Sequence, residues 1–403
     1  MRPTYLDNNA TTRVDPAVIE AMLPYFTEHF GNASSLHGFG GVVAKALRKA
    51  RVAVQRLIGA AHEDEVVFTS GGSEADNTAI GVALDLPGGR DEIVTSQVEH
   101  PAVLAVCKHL AHTRRATVRY VAVDGRGRLD LDAYRAALGP RTALVSLMWA
   151  NNETGTIFPV ATLAELAHGV GALFHTDAIQ AVGKVSVDVG ATMVDLLSLS
   201  GHKLHGPKGI GALYVRRGVP LRPLIRGGRQ ERARRAGTEN SPGIVGLGKA
   251  AELAVAHLSG EGTRVRALRD RLEHGIVNAI GNVLPLGDAE ARLPNTSALA
   301  FDGAEAEAIL THLDRVGIAA SSGSACASGS LEPSHVLRAM KVPYPHIHGA
   351  IRFSLSRNSR DADVDHVLGT LPRIIANLRT SSPSAPGPRI PWPRTELFAI
   401  TPF

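Results

Sequence analysis

The stretch that decides the fold class runs from residue 172 to residue 215 and contains Ala172-Leu-Phe-His175, Leu196-Leu-Ser-Leu199 and Ile210-Gly-Ala-Leu-Tyr-Val215. Each of these short apolar runs has the length of a buried strand. Further runs of this kind lie earlier in the chain: Glu65-Val-Val-Phe-Thr69, Glu92-Ile-Val-Thr95 and Ala143-Leu-Val-Ser-Leu-Met148. Helix-length amphipathic segments, such as Val160 to His168, separate several of them. The alternation predicts an α/β fold with a mostly parallel sheet, whose ligands bind beyond the carboxyl ends of the strands.

The pattern changes after about Ala256, where a helix from Thr263 to Ile280 is followed by shorter mixed elements. We therefore predict a large domain of residues 16–255 and a smaller α+β domain formed by residues 1–15 and 256–379. The small domain would carry a loop at about residues 321–334 that contains Cys326. Residues 380–403 are rich in Pro and Ser, which predicts an extended tail.

The composition is that of a soluble globular protein, with 403 residues of which 44% are hydrophobic and 20% are charged. The sequence has no apolar run of about 18 residues, so we expect no membrane span. The opening residues, Met1 to Asp7, lack the apolar stretch of a secretory signal, and we expect a cytoplasmic protein.

The chain carries 43 Lys and Arg against 38 Asp and Glu, a net charge of +5. Six arginines lie between Arg222 and Arg235, a density that can bind nucleic acid. They are interleaved with Gly and Glu and have no aromatic residues among them, which favours a solvated or interface segment. We expect no nucleic-acid partner.

The chain has two cysteines in contrasting settings, and two thiols cannot form a disulfide framework for a chain of this length. Cys107 lies in an apolar, helical-looking segment, where a cysteine is usually a small buried hydrophobe. Cys326 lies within Ser321-Ser-Gly-Ser-Ala-Cys-Ala-Ser-Gly-Ser330, which predicts a loop. A lone thiol on a loop is a candidate nucleophile.

Polar residues follow three of the predicted strands. Ser70-Gly-Gly-Ser73 opens a helix, where backbone N–H groups can bind a phosphate, although a capping serine explains the pattern equally well. Asp177 ends another strand, where an acid can bind a metal, cap a helix or hold a cofactor nitrogen. Lys203 follows a third strand and is either a Schiff-base lysine or a surface lysine.

Together these strand ends predict a site for pyridoxal phosphate, which needs a phosphate cup, an acid at its ring nitrogen and a lysine at its aldehyde carbon. Gly72 and Ser73, Asp177 and Lys203 would supply them. Arg352 is a candidate for gripping the carboxylate of an amino acid substrate with two hydrogen bonds.

Longer motifs run in order along nearly the whole chain: Tyr5-Leu-Asp-Asn-Asn-Ala-Thr-Thr12, Phe68-Thr-Ser-Gly-Gly-Ser-Glu74, Glu99-His-Pro-Ala-Val103, Ala150-Asn-Asn-Glu-Thr-Gly155, His175-Thr-Asp-Ala-Ile-Gln-Ala-Val-Gly-Lys184, Ser200-Gly-His-Lys203, Arg234-Arg-Ala-Gly-Thr-Glu-Asn240, Ser321-Ser-Gly-Ser-Ala-Cys326 and Glu332-Pro-Ser-His335. In these motifs the chain resembles the cysteine desulfurases, pyridoxal-phosphate enzymes related to class V aminotransferases. The resemblance implies a PLP-dependent transferase of fold type I.

The chain is most similar to the NifS type, the desulfurase of nitrogen fixation. Three stretches carry this likeness: Leu147-Met-Trp-Ala-Asn-Asn152, Leu199-Ser-Gly-His-Lys-Leu-His205 and Phe353-Ser-Leu-Ser-Arg357. The housekeeping iron–sulfur-cluster desulfurase is a near relative and remains an alternative.

The resemblance implies a role for each residue of the site. Gly72, Ser73, Ser200 and His202 would bind the phosphate, and Thr238 would reach the phosphate of a neighbouring subunit in a homodimer. His100 would stack on the cofactor ring and help to move protons. Other residues would bind the ring and the substrate: Asp177 at the ring nitrogen, Gln180 and Asn152 at the ring oxygen, Lys203 as the Schiff base, and Arg352 with Asn152 at the substrate carboxylate.

The implied reaction converts L-cysteine to L-alanine and leaves a persulfide on Cys326, with Lys203 and His100 as the other catalytic residues. An iron–sulfur scaffold protein would accept the sulfur, and Cys326 would serve as a metal ligand to a transient [2Fe-2S] cluster. Selenocysteine lyase and a related transaminase are the alternatives. A transaminase has no use for the thiol of Cys326.

Overall fold

We analysed a computed structural model of the chain, which describes residues 3–82, 89–322 and 333–381. The predicted tail from residue 382 onward and the central part of the predicted Cys326 loop, residues 323–332, lie outside the described residues.

The strands of the described residues are, in chain order, β1 (Thr4–Tyr5), β2 (Val66–Thr69), β3 (Glu92–Ser96), β4 (Thr117–Val121), β5 (Thr142–Ser146), β6 (Leu173–Asp177), β7 (Leu196–Ser200), β8 (Gly211–Val215), β9 (Val283–Leu286), β10 (Thr296–Phe301), β11 (Ile318–Ala319), β12 (Ser321–Ser322) and β13 (Ala350–Ser354).

The α-helices are α1 (Pro16–Met22), α2 (Pro24–Thr27), α3 (Gly38–Leu57), α4 (Gly72–Val82), α5 (Pro101–His112), α6 (Leu131–Ala137), α7 (Val160–Gly169), α8 (Gln230–Ala233), α9 (Ser241–Gly260), α10 (Arg266–Ala279), α11 (Ala306–Arg315), α12 (His335–Ala339), α13 (Tyr344–Ile347) and α14 (Asp361–Ser381). Two 3-10 turns span Glu63–Glu65 and Gly201–Lys203, and a π-helical turn spans Glu261–Val265. No described helix combines the length and the apolar character that a membrane crossing requires.

The main sheet has seven strands in the order β2-β8-β7-β6-β5-β3-β4. Strand β8 runs antiparallel to both of its neighbours, and all other pairs are parallel. The predicted α/β architecture with a mostly parallel sheet is therefore confirmed. Because β2 and β7 both oppose β8, the carboxyl ends of β2, β7, β6, β5 and β3 meet at one edge.

Both faces of this sheet are buried, which is the usual condition of parallel sheets. Side chains of one face, such as Phe68 and Leu197, pack in a cluster with residues of α3, α7 and α9. Their sequence neighbours Val67 and Leu196 point to the other face and pack with residues of α4 and α5. Because successive side chains of a strand point to opposite faces of the sheet, one apolar run contributes to the buried clusters on both faces.

A second, antiparallel sheet has the order β12-β13-β10-β9, and β1 pairs with β11 in a separate parallel ladder. A third cluster of buried residues joins these strands to α10, α11 and α14, and it includes Leu6 from the N-terminal segment. The N-terminal segment thus packs with the C-terminal part of the chain. The division into domains of residues 16–255 and of residues 1–15 with 256–379 stays a prediction.

A left-handed segment covers the free edge of β2. The φ angles of Glu231, Arg232 and Ala233 are 47°, 57° and 63°. The buried carboxylate of Glu231 pairs with Arg51 at 2.6 Å and accepts the backbone N–H of Phe68 at 2.9 Å. This ion pair satisfies an edge donor that would otherwise be open to another chain, and it holds a backbone that is strained without glycine.

Ala233→Gly is expected to stabilise the protein by about 1 kcal/mol, because glycine adopts a left-handed conformation without the Cβ clash. Urea denaturation measures the change. Ala256→Gly is the matched control, since Ala256 is exposed within α9, where glycine costs about 1 kcal/mol. Equal destabilisation by both substitutions would contradict the strain at Ala233.

Candidate active site

Lys203 lies at the edge where the parallel strands end. Strand β7 ends at Ser200, and the 3-10 turn Gly201–Lys203 follows at once. A Cβ on Gly201 would come within 3.0 Å of Ile210 Cγ2 and of the Pro207 carbonyl oxygen, so the turn needs a glycine. Lys203 is half-buried, and its Nζ donates to the carbonyl oxygens of Asn9 at 2.5 Å and Ala10 at 2.6 Å.

Asp177 is the last residue of the neighbouring strand β6 and is 6% exposed. Its Oδ1 accepts the backbone N–H of Ile179 at 2.9 Å. Burial raises the pKa of Asp177, and the charges of His100 and Lys203 oppose that rise. A buried carboxylate needs a cationic partner, and the protonated nitrogen of a pyridine ring is such a partner.

His100 caps the N-terminus of α5, with Nδ1 accepting the backbone N–H of Ala102 at 3.1 Å. Because a neutral imidazole carries one proton, this bond places the proton on Nε2. Burial lowers the pKa of His100, while the charge of Asp177 raises it and that of Lys203 lowers it. His100 therefore shares one electrostatic site with Asp177 and Lys203, and it offers that site an N–H donor.

The N-terminus of α4 meets the end of β7 at the predicted phosphate cup. Gly72 is buried, and a Cβ there would clash with the side chain of Ile179 and lie 3.7 Å from Ser200 Cβ. Ser73 is exposed in the first turn of α4, and Ser200 is buried at the end of β7. The predicted phosphate residues Gly72, Ser73 and Ser200 therefore come together where backbone N–H groups and a helix N-terminus face outward.

His202, the fourth predicted phosphate residue, lies in the turn beside Lys203, with Nδ1 at 3.2 Å from Thr11 Oγ1. Burial, followed by the charges of Lys203, Lys208 and Lys184, lowers the pKa of His202 to about 4. The ring is accordingly neutral at pH 7.

Arg352 lies on β13 and is 4% exposed. Its Nη1 donates to the carbonyl oxygen of Asn152 at 3.0 Å, and its Nη2 pairs with Asp7 Oδ1 at 2.8 Å. Among the described residues, its buried Nε has no hydrogen-bond partner. Since an unsatisfied buried donor is costly, this guanidinium fits a carboxylate ligand.

Known proteins of similar sequence decide the family. The family model of the class-V aminotransferases matches residues 4–367. A cysteine desulfurase of Gluconacetobacter diazotrophicus is 67% identical over 95% of this chain and 96% of its own length. The protein named cysteine desulfurase NifS of Azotobacter vinelandii is 56% identical over 95% of each chain. The chain belongs to the cysteine desulfurases.

A solved structure titled NIFS-like protein superposes on this desulfurase with a TM-score of 0.87 at 38% identity, covering 93% of this chain and 100% of its own. The predicted fold, that of a type I PLP-dependent transferase, is confirmed, as is the predicted enzyme class. Pyridoxal phosphate is the cofactor of this family, and the cup, the buried acid and the strand-end lysine fit it. The named relatives do not favour the selenocysteine lyase and transaminase alternatives.

Cys326 of the desulfurase lies outside the described residues, but both flanks of its segment lie beside the site. On one side Ser321 pairs with Arg352 in the ladder between β12 and β13. On the other side Ser334 Oγ donates to Glu153 at 2.6 Å, and His335 Nε2 lies 2.9 Å from the carbonyl oxygen of Glu99.

Asn9 is a site residue to which the sequence analysis assigned no role, although it lies in the first of the quoted motifs. Its carbonyl oxygen accepts from Lys203 and, at 3.0 Å, from Gln180 Nε2. Its side-chain Nδ2 donates to the carbonyl oxygen of Asn152 at 3.2 Å. Asn9 thus links three of the predicted site residues.

Thr238 is exposed in the loop between α8 and α9. Within the described ranges, no hydrogen bond joins it to the other residues of the site, and its predicted role concerns a neighbouring subunit.

A pair of buried acids near Asp177 was also missed by the sequence analysis. Burial raises the pKa of Glu99 to about 8, and burial with the charge of Asp177 raises that of Asp76 well above its usual range. Neither oxygen of Asp76 has a hydrogen-bond partner among the described residues, and Oδ1 lies 3.7 Å from Nε2 of the buried His175. Burial therefore favours the neutral form of both acids.

Glu99→Gln is expected to weaken the fall of the free energy of unfolding with rising pH. The carboxyl has a pKa of 4.5 when unfolded and about 8 when folded, so the unfolded state binds fewer protons between these values. Its stabilising contribution is full below pH 4.5 and is lost as the pH rises through about 8. The slope should therefore diminish by about 1.4 kcal/mol per pH unit in this window.

Urea denaturation at several pH values across the window measures this slope. Glu307→Gln, at an exposed position of α11, should keep the wild-type slope. If Glu99→Gln also kept that slope, Glu99 would not be a neutral acid in the folded protein.

Proposed function

We propose that this desulfurase releases L-alanine from L-cysteine and holds the sulfur as a persulfide on Cys326. The observation that carries the proposal is the meeting of Lys203, Asp177 and His100 at one sheet edge. Both described flanks of the Cys326 segment lie next to that edge, at Ser321 and Ser334.

Arg352 and Asn152 bind the substrate carboxylate in this proposal. The guanidinium is buried, and Asp7 and the Asn152 carbonyl hold it in position. A charge-assisted bond from a buried arginine both orients the substrate and selects an amino acid over an amine.

Lys203 takes the proton from Cα of the substrate, and Asp177 pairs with the ring nitrogen of the cofactor. Pyridoxal phosphate, when bound, supplies the electron sink that makes Cα acidic. Gln180 and Asn152 lie at the ring oxygen, and Gly72, Ser73, Ser200 and His202 hold the phosphate. His100 holds a proton at Nε2, where it stabilises a thiolate beside the ring face.

The sulfur-transfer step balances without an outside oxidant. The thiolate of Cys326 attacks the substrate sulfur, the Cβ–S bond breaks and an S–S bond forms. The electrons of the broken bond stay on carbon, which takes up a proton and leaves as the methyl group of L-alanine. One cysteine and one enzyme thiol thus give one alanine and one enzyme persulfide.

Cys326→Ser is expected to keep the yellow bound cofactor and to abolish alanine release from L-cysteine, because the hydroxyl cannot accept the sulfur. Absorbance and an alanine assay measure the two properties in one sample. Cys107→Ala is the matched control: burial raises the pKa of Cys107 to about 12, so its thiol is not a nucleophile and its loss should leave turnover intact. Turnover at the wild-type rate in Cys326→Ser would refute the proposed nucleophile.

The desulfurase acts as a homodimer in which Thr238 binds the phosphate of the partner's cofactor. Thr238 is exposed in a single chain. An unusual number of large apolar side chains is also exposed near the start of the chain, and a second copy would cover them: Ile19, Leu23, Phe26, Phe30, Leu36, Phe39 and Val42.

Thr238→Val is expected to weaken cofactor retention by about tenfold to a hundredfold, the value of one hydrogen bond to a charged group. Mixing Thr238→Val chains with Lys203→Ala chains tests whether the site is shared. In the mixed dimer, one site combines an intact Lys203 with an intact Thr238 of the other chain and should retain cofactor as the wild type does. Dialysis followed by absorbance measures retention, and failure of the mixture to recover any tight site would place Thr238 in its own chain's site or in none.

The sulfur passes to an iron–sulfur scaffold protein in the cytoplasm and serves nitrogenase maturation, with a [2Fe-2S] cluster as cargo that Cys326 ligates in transit. The likeness to the NifS type and the name of the Azotobacter vinelandii relative support this assignment.

A further inference from the structure

A second buried lysine, Lys184, lies behind Lys203. It is 7% exposed, and its Nζ donates to Gln180 Oε1 at 2.7 Å and to Asn9 Oδ1 at 3.3 Å. Both acceptors are neutral amide oxygens. Because lysine is almost never buried without a charged partner, these two contacts call for a reason beyond packing.

Lys184 determines which way the amide of Gln180 faces. The ammonium form of Lys184 can only donate hydrogen bonds, so the oxygen of Gln180 points to Lys184 and the nitrogen points away. The nitrogen then donates one hydrogen to the Asn9 carbonyl at 3.0 Å. In the reversed orientation, the Gln180 nitrogen would face the Lys184 nitrogen, donor against donor. The Gln180 oxygen would face the Asn9 carbonyl oxygen, acceptor against acceptor.

We propose that Lys184 is a positioning residue: it holds the amide of Gln180 so that an N–H, and not an oxygen, is presented to the cofactor ring oxygen. The inference rests on the proposed placement of Gln180 at that oxygen. This role gives a reason for burying the amine of Lys184 near that of Lys203, which binds the cofactor in the proposed function.

The surroundings of Lys184 allow this role over a broad pH range. The charged or titratable side chains around it are Lys203, His202, His205, Glu261, Arg352 and Arg357. Burial, with the charges of Lys203 and Arg352, lowers the pKa of Lys184 to about 7, and Glu261 opposes the shift. Both the ammonium and the neutral amine carry N–H groups, so Lys184 donates to Gln180 in either form.

The test is a pH titration of the cofactor absorbance in the full-length holoenzyme without L-cysteine. A donor at the ring oxygen stabilises its negative charge; without that donor, the Lys203 nitrogen joined to the cofactor keeps its proton to higher pH. Lys184→Met should therefore raise the midpoint by about one pH unit, a tenfold change in the protonation constant. Lys184→Arg keeps a donor at this position and should stay near the wild-type midpoint.

Combining substitutions of Lys184 and Gln180 distinguishes this role from a direct effect of the Lys184 charge on the midpoint. Gln180→Leu should raise the midpoint by itself, and adding Lys184→Met to it should cause no further rise. Lys49→Met, at an exposed lysine of α3, is the control that should change nothing. The proposal would be overturned if Lys184→Met bound the cofactor and kept the wild-type midpoint. It would also be overturned if Lys184→Met shifted the midpoint equally in the wild type and in Gln180→Leu.

If Lys184→Met does not fold, Lys184→Gln provides a second test. Its neutral amide still donates to Gln180, so this variant should keep the wild-type midpoint. If neither variant folds, Lys184 serves the fold and the positioning role is overturned. A colourless wild-type protein would instead refute the proposed function. A yellow protein that makes no alanine would leave the inference about Lys184 standing.

Discussion

The hydrogen bonds of Asn9 hold the two sheets of the molecule in the relation that the site requires. Asn9 is 1% exposed, and it lies between the carboxyl edge of the parallel sheet and the antiparallel sheet. Its carbonyl oxygen binds Lys203 and Gln180 of the parallel sheet. Its backbone N–H donates to Ser354 of the second sheet. Its side chain binds Thr296 of that sheet and the preceding residue, Asn295. A single residue near the N-terminus thus joins Lys203, the lysine proposed to receive the cofactor, to the sheet that carries Arg352.

Burial then sets the charge of each group around that junction. Burial raises the pKa of Asp177, and the charges of His100 and Lys203 oppose that rise. Glu99 and Asp76 are buried acids without such cations beside them, and burial raises the pKa of each. Only an acid with a cation beside it can hold a negative charge in this environment. Neighbouring cations therefore distinguish Asp177 from the other two acids, although all three are carboxylic acids.

Much of the fold and the site could be predicted from the sequence because strand ends are local features. The runs ending at Thr69, His175 and Leu199 are visible as apolar segments, and the residues that follow each strand must collect at one edge of a parallel sheet. The roles of individual residues came from the resemblance to the cysteine desulfurases, whose motifs extend over nearly the whole chain. Asn9 and Lys184 were in quoted motifs, but nothing local distinguishes a buried hydrogen-bonding residue from a surface one.

The sequence by itself determined the alternation of strands and helices, the order of the strand-end residues and the family to which the chain belongs. Only the tertiary structure decided that Asn9 meets Ser354, 345 residues away in the chain, and that Ser321 pairs with Arg352. It also decided which of the three acids has cations beside it and which way the amide of Gln180 faces. The physical reason is that pKa values and amide orientations depend on burial and on partners, and both are fixed by which distant segments pack together.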